Sequence, residues 1–427
     1  MIKTIFLNYY FLILLYRVLL DIAYIKTTNY YSDVGFTYSP EDILPIIATY
    51  IIMLLFALFQ KKDYTPSSII LFILFLLNVI PAFTLFSYSS DYSSFGVVYI
   101  SMAYGSVLLS MNFVNFLKIE SDKRDLDMRL FVFLLIMIYF FAIIILIKHF
   151  GIKFSLPSLD NVYDTRADFK EHITRGIGYL FNWFGSILNP FVFLLALRKK
   201  KITIVIISLL FQFYLFSIGG HKTILFTLLV VFGIYIFLEF YKKILLQKLI
   251  LFGIIFLIST LLIYDFIVGG YSLMTAVIVQ RVFLIPAQMY YWYIDFFQIN
   301  PIDYFGQNFP FSLFVESHYE LPIPATIGDY HLDRPDVYAN ANIFADAYAN
   351  LGYWGIVFIT YVFTLTFYIF DNISRKKDTS IIIPIIILLS FTMVNASLLT
   401  SLVTFGILFF MLLVFFLPKK NYMQSVF

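Results

Sequence analysis

The chain has 427 residues, 61% of them hydrophobic and only 13% charged, with a net charge of +3 and no cysteine. A soluble domain carries roughly 25% charged and roughly 45–50% apolar residues. This composition therefore excludes a water-soluble globular protein and predicts a surface that faces lipid, while the missing cysteine excludes disulfides, thiolate metal sites and cysteine nucleophiles.

A membrane-spanning helix takes about 20 mostly apolar residues. The first apolar run follows Lys3 and superficially resembles a signal peptide. It contains Arg17 and Asp21 and has no small-residue cleavage site, so it is predicted as a retained span over 5–25. Further spans are predicted over 43–60, 67–88, 96–117, 129–148, 179–197, 202–218, 223–241, 249–268, 353–372, 380–397 and 399–417. The fold class is an all-α polytopic membrane protein of about twelve transmembrane helices, with residues 1–427 forming one integral membrane domain.

The connections alternate in character. One set holds Lys3, Lys61-Lys62, Lys118 to Arg129, Arg198 to Lys201, Lys242-Lys243 with Lys248, Arg375 to Lys377, and Lys419-Lys420, which is 19 of the 29 basic residues. Short basic connections stay on the cytoplasmic side, so both termini are predicted there.

Two long connections are predicted on the other, extracytoplasmic side, at 149–178 and 269–352. The second holds only Arg281 and Arg334 as basic residues, against many acids. Within it, 272–299 is nearly apolar enough to span, but Arg281, Gln288 and Asp295 recur at heptad spacing along one stripe and Pro286 interrupts it. It is predicted as an amphipathic helix at the outer interface or a re-entrant element, with Tyr290 to Tyr293 at headgroup level.

No phosphate-binding glycine loop, dinucleotide fingerprint or HExxH metal motif occurs. No basic cluster interleaved with aromatics suggests nucleic acid. Four constellations carry potential chemistry. In Gly219-Gly220-His221-Lys222, paired glycines permit a tight turn. His221 and Lys222 then form an anion contact with a proton acceptor, or merely a hairpin whose lysine snorkels to headgroups. Arg281 on an apolar stretch costs ~2.5–3.5 kcal/mol at bilayer-centre depth, so it calls for a partner: a bound phosphate, lipid headgroups or Asp295.

Asn342, Asp346 and Asn350 repeat every four residues and form one polar helical stripe with alanines between. Such a stripe suits sugar hydroxyls or a solvated helix face. The smaller long connection carries Asp160, Asp164, Arg166, Asp168, Lys170, Glu171, His172 and Arg175, a mixed density usual for a solvated surface, with Arg166 and Arg175 the residues to test. Arg17 and Asp21, one turn apart, are placed to pair, either structurally or functionally. His318 and His331 are further acid–base candidates.

Three patches in order carry a resemblance: Gly219 to Lys222 after a span, Arg281-Val-Phe-Leu-Ile-Pro-Ala with the aromatic run to Phe297, and Asn342 to Gly355 leading into the next span. With the large penultimate outer connection, they resemble the Wzy-type O-antigen and capsule repeat-unit polymerases. The resemblance implies a multi-span, lipid-donor (GT-C-like) glycosyltransferase that moves a growing glycan from undecaprenyl pyrophosphate to a new lipid-linked repeat unit at the outer face.

It implies no cofactor and no metal. Its partners are the undecaprenyl-pyrophosphate-linked donor and acceptor, membrane lipid and a chain-length regulator protein. A pyrophosphate leaving group needs cations, for which Arg281 and Lys222 are the first candidates, supported by Arg166 or Arg175. The attacking hydroxyl needs a base, either His221 or Asp346, and Asn342 and Asn350 would orient the acceptor sugar. A ligase using the same carrier, and a flippase or transporter of lipid-linked oligosaccharide, are the alternatives.

Overall fold

In the computed structural model the described residues are 8–40, 42–114, 127–152, 162–240, 245–308 and 311–419. Lys3, Asp160, Lys242, Lys243, Lys420 and most of the 118–129 connection lie outside them. The chain is helical, and among the described residues the only β-type pairing is an isolated bridge between Ser39 and Ser89. In chain order the helices are α1 (Tyr9–Thr28), α2 (Ile43–Phe59), α3 (Pro66–Tyr88), α4 (Ser94–Val114), α5 (Met128–Phe150), α6 (Val162–His172), α7 (Gly176–Arg198) and α8 (Ile202–Gly219). There follow α9 (Lys222–Phe240), α10 (Leu246–Val268), α11 (Leu273–Ile299), α12 (Ile323–Leu332), α13 (Ile343–Leu351), α14 (Trp354–Ser374), α15 (Thr379–Val394) and α16 (Leu398–Phe416).

Ten helices among the described residues are long and apolar enough to cross a membrane. Nine coincide with predicted spans. Three of the twelve expected spans fall short: α1 carries Arg17, Asp21 and Lys26, and α2 and α15 have 17 and 16 residues. The tenth is α11, 27 residues in the stretch expected to lie at the interface. Its length suffices for a crossing, yet the chain just before its start and its own second half both meet the segment around 27–35. Just before it, Tyr271 bonds Thr27 and packs on Tyr30 and Tyr31. Towards its end, Gln288 Nε2 donates to the Val34 carbonyl (2.8 Å), and Trp292 approaches Gly35. We therefore describe α11 as running along one end of the bundle, dipping inward where Phe283 meets Tyr16.

Helix α3 is central, with 94% of its span buried, and is apolar on all sides, as a helix surrounded by others must be. α5 and α9 are peripheral, with 28% and 22% buried. Lipid tails are as apolar as leucine, so burial alone does not hold such helices together; close packing and interhelical hydrogen bonds do. Asn78 Nδ2 donates to the Val394 carbonyl, and Asn189 Nδ2 to Gln212 Oε1. The expected Arg17–Asp21 pair forms, Nε to Oδ1 at 2.8 Å. Arg17 also donates to the Ile80 carbonyl and Ser87 Oγ, and Asp21 accepts from Thr84 and Tyr50.

Three helices widen into π turns, at Phe75–Val79 in α3, Phe184–Leu188 in α7 and Ala276–Leu284 in α11. In each, a proline (Pro81, Pro190, Pro286) follows two residues after the wide segment. Proline lacks an N–H and its ring strikes the carbonyl four residues back. Here the residue before each proline donates to the carbonyl five residues back, in Phe75, Phe184 and Gln280, which opens the ladder without ending the helix.

The basic connections gather at one end of the bundle. Gln247 Nε2 donates to the Lys61 and Asp63 carbonyls, Ser67 bonds Asp371, and Arg198 pairs with Asp378 at 2.9 Å and Glu239 at 3.4 Å. The segments at 29–40, 89–93, 219–222, 300–308 and 311–353 emerge at the opposite end, which carries the candidate sites.

Candidate functional site

The turn after α8 is built by its glycines. A Cβ at Gly219 would lie 2.4 Å from the Phe181 ring, and Gly220 is left-handed at φ 61°, a conformation that favours glycine. His221 then packs by its edge on Phe169 (5.8 Å between centroids) and beside Phe181 (6.1 Å). Arg166 of α6 donates Nε–H to the Gly220 carbonyl at 3.0 Å. Burial, then Arg166, then Lys170 hold His221 below the usual histidine range, so its imidazole is neutral near pH 7 and able to accept a proton. Lys222, the first residue of α9, is exposed. The structure thus brings Arg166, His221 and Lys222 together and adds Lys170. The side chain of Arg175 lies outside the described ones.

The asparagine stripe builds the connection around it. Asn342 caps α13, its Oδ1 accepting from the Phe344 and Ala345 N–H groups at 3.0 and 2.9 Å, while its buried Nδ2 has no partner. Asn350 is fully buried. Its Oδ1 accepts from Phe305 N–H, and both amide hydrogens go to Asp346, at the carbonyl and at Oδ1. Asp303, also buried, extends this network to Ala349, Gln307 and Ser317. Sugar binding by Asn350 would require breaking these bonds.

The alanines answer a packing demand. Ala345, Ala347 and Ala349 are buried, and a Cβ at Gly355 would meet the Ala347 carbonyl oxygen at 2.4 Å. Of the stripe, only Asp346 is partly exposed. Desolvation pushes its carboxyl from 3.8 up to about 7, opposed by the Asn350 amide and reinforced by Asp303.

Arg281 lies in the wide turns of α11 and is exposed. It does not pair with Asp295, which is fourteen residues, or roughly 20 Å, further along the same helix. The predicted stripe is divided by its neighbours: Gln288 is covered by Val34 and Gly35, whereas Asp295 is open and faces His331. Arg281, the His221 turn and Asp346 thus belong to three separate packing environments.

A polar cleft of about 350 Å³ opens at the same end of the bundle. It lies between the 32–35 turn, Asp91 and Tyr92, the end of α11, and α12. His331 stacks on the Trp292 indole, centroids 4.8 Å apart and planes 9° apart, and its Nε2 lies 3.2 Å from the Trp292 carbonyl and 4.0 Å from Asp295 Oδ2. A carbonyl only accepts, so Nε2 carries the proton. Sequence reasoning singled out His331 and the aromatic run but not the cleft, whose walls come from residues 32, 91, 292 and 331 and are joined only by the fold. The chain matches no family model, no curated protein and no solved structure.

Proposed function

We propose that this chain joins polyprenyl-pyrophosphate-linked oligosaccharide repeat units into a surface polysaccharide, as the Wzy-type polymerases do, at the outer face of a bacterial cytoplasmic membrane with its basic connections inside. The observation that carries this reading is the approach of Arg166 and Lys170 to the His221 turn, which the exposed Lys222 adjoins, at the bundle end opposite the basic connections. Cations gathered there, with Arg166 anchored on the Gly220 carbonyl, suit an anion delivered at the membrane surface.

In this mechanism the bond from the donor's anomeric carbon to the pyrophosphate oxygen breaks, and the electron pair leaves with the lipid pyrophosphate. Arg166, Lys170 and Lys222 neutralise that charge, and Arg281 attracts the headgroup along α11. The acceptor hydroxyl forms the new glycosidic bond and gives its proton to His221, the base that lies beside these cations. The test uses purified protein in vesicles supplied with its lipid-linked repeat unit. Wild type should yield a ladder on the lipid carrier, and Arg166→Ala should reduce it severely. Transfer of finished glycan to a different acceptor without a ladder would instead establish a ligase. An unchanged ladder from Arg166→Ala would remove the cationic turn from the chemistry.

A further inference from the structure

We propose that the cleft beside His331 binds a sugar ring that is uncharged or carries an amine, and that it excludes uronates and phosphates. Its charges point to this choice. Two carboxylates, Asp91 and Asp295, line it together with His331, and among the described residues no lysine or arginine does. Burial holds His331 below its ordinary range, with the Trp292 carbonyl and Asp295 opposing, so the imidazole does not offset the two negative charges near pH 7. An incoming carboxylate or phosphate would meet like charge with no counter-cation. The His221 turn has the opposite character, so the two places suit different parts of one lipid-linked saccharide.

The other features fit a sugar. A volume of about 350 Å³ lies in the range of small-ligand sites. Tyr92 and Tyr291, buried with ring centroids 4.8 Å apart, form the apolar floor of the cleft. Asp295 is 65% exposed at the side chain and accepts hydroxyl or ammonium hydrogens. Nε2 of His331 is committed to the Trp292 carbonyl, which leaves Nδ1 as an acceptor. Beneath the wall at Gly35, the buried Gln288 donates to Val34 and keeps an Oε1 without a partner.

The site also has a rigid frame. Tyr92 OH donates to the Gly35 carbonyl at 3.0 Å, Thr37 donates to Asp91 at 2.6 Å, and the Trp292–His331 stack joins α11 to α12. A site whose walls are fixed before the ligand arrives loses less entropy on binding.

The inference rests on the glycan reading above, and the following test separates the two. Full-length protein in detergent is titrated with glucosamine, N-acetylglucosamine and glucuronate while tryptophan fluorescence is followed. Glucosamine and N-acetylglucosamine should change the emission, glucuronate at equal concentration should not, and the change should vanish in Trp292→Phe. Asp295→Asn, which alters an exposed side chain, should weaken glucosamine at least tenfold and N-acetylglucosamine less. Binding of none of the three sugars, equal binding of glucuronate, or an unchanged glucosamine affinity in Asp295→Asn overturns the cleft proposal. Should these sugars bind as expected while deletion of the gene leaves the surface glycan ladder intact, the polymerase reading fails and the cleft stands.

Discussion

Two charged groups in this chain differ in what surrounds them. Arg17 and Asp21 are buried in the bundle and answered on every side by Ile80, Thr84, Ser87 and Tyr50. Around His221, by contrast, the cations lie at the bundle's end and Lys222 is exposed. An ionisable residue within a span is a functional candidate by default, yet the buried pair is closed off from solvent while the turn carries an exposed lysine. A buried ion pair between helices marks a clasp, whereas cations gathered at a solvent-facing turn mark a place for an anion.

This contrast can be broken most sharply at Arg17. Arg17→Ala leaves Asp21 charged and buried, which should cost about 3–5 kcal/mol of stability. Thermal unfolding in detergent would show this as a large drop in midpoint, and a paired Arg17→Met, Asp21→Leu variant should recover much of it. At the turn the order reverses. Arg166→Ala should reduce polymer formation roughly a hundredfold with a much smaller shift in unfolding midpoint than Arg17→Ala. Equal losses of stability in the two variants would erase the distinction.

Asp346 gives a smaller effect with a definite sign. Its carboxyl titrates near 7 in the fold rather than at 3.8. The associated stability is fully present below about pH 4 and is lost as pH rises through about 7. Asp346→Asn should therefore match wild type near pH 4 and exceed it by about 4 kcal/mol near pH 8. The smallest effect is at Asn342. Asn342→Ala removes the cap of α13 and should cost about 1 kcal/mol without altering sugar affinity. A selective loss of acceptor binding in that variant would restore Asn342 to the sugar site.

What the sequence revealed follows from the range of the interactions. Long apolar runs between basic connections made most spans legible, because a lipid-exposed helix must satisfy its backbone internally. The Gly219-Gly220 turn was legible for the same reason, since a positive φ is a local demand. α11 was harder to place. Its length and hydropathy suit a span, and only distant contacts with Thr27 and Val34 show the chain before its start and its second half at one face. Heptad spacing linked Arg281, Gln288 and Asp295, but the covering of Gln288 by the 34–35 turn divides them. An amide looks alike whether it faces a ligand or its own loop: Asn350 is engaged by Phe305 from a distant part of the chain, whereas Asn342 caps its own helix through Phe344 and Ala345, a local role. The cleft at His331 joins positions about 300 residues apart in the chain, a distance no local pattern encodes.

The central claim is tested most directly by deleting the gene in its host and running the surface glycan on a gel beside strains complemented with wild type or Arg166→Ala. The account predicts that deletion removes the long ladder while single repeat units are still made and exported, that wild type restores the ladder, and that Arg166→Ala does not. A full-length ladder in the deletion strain would contradict it, as would complete loss of surface glycan with lipid-linked units held on the cytoplasmic side.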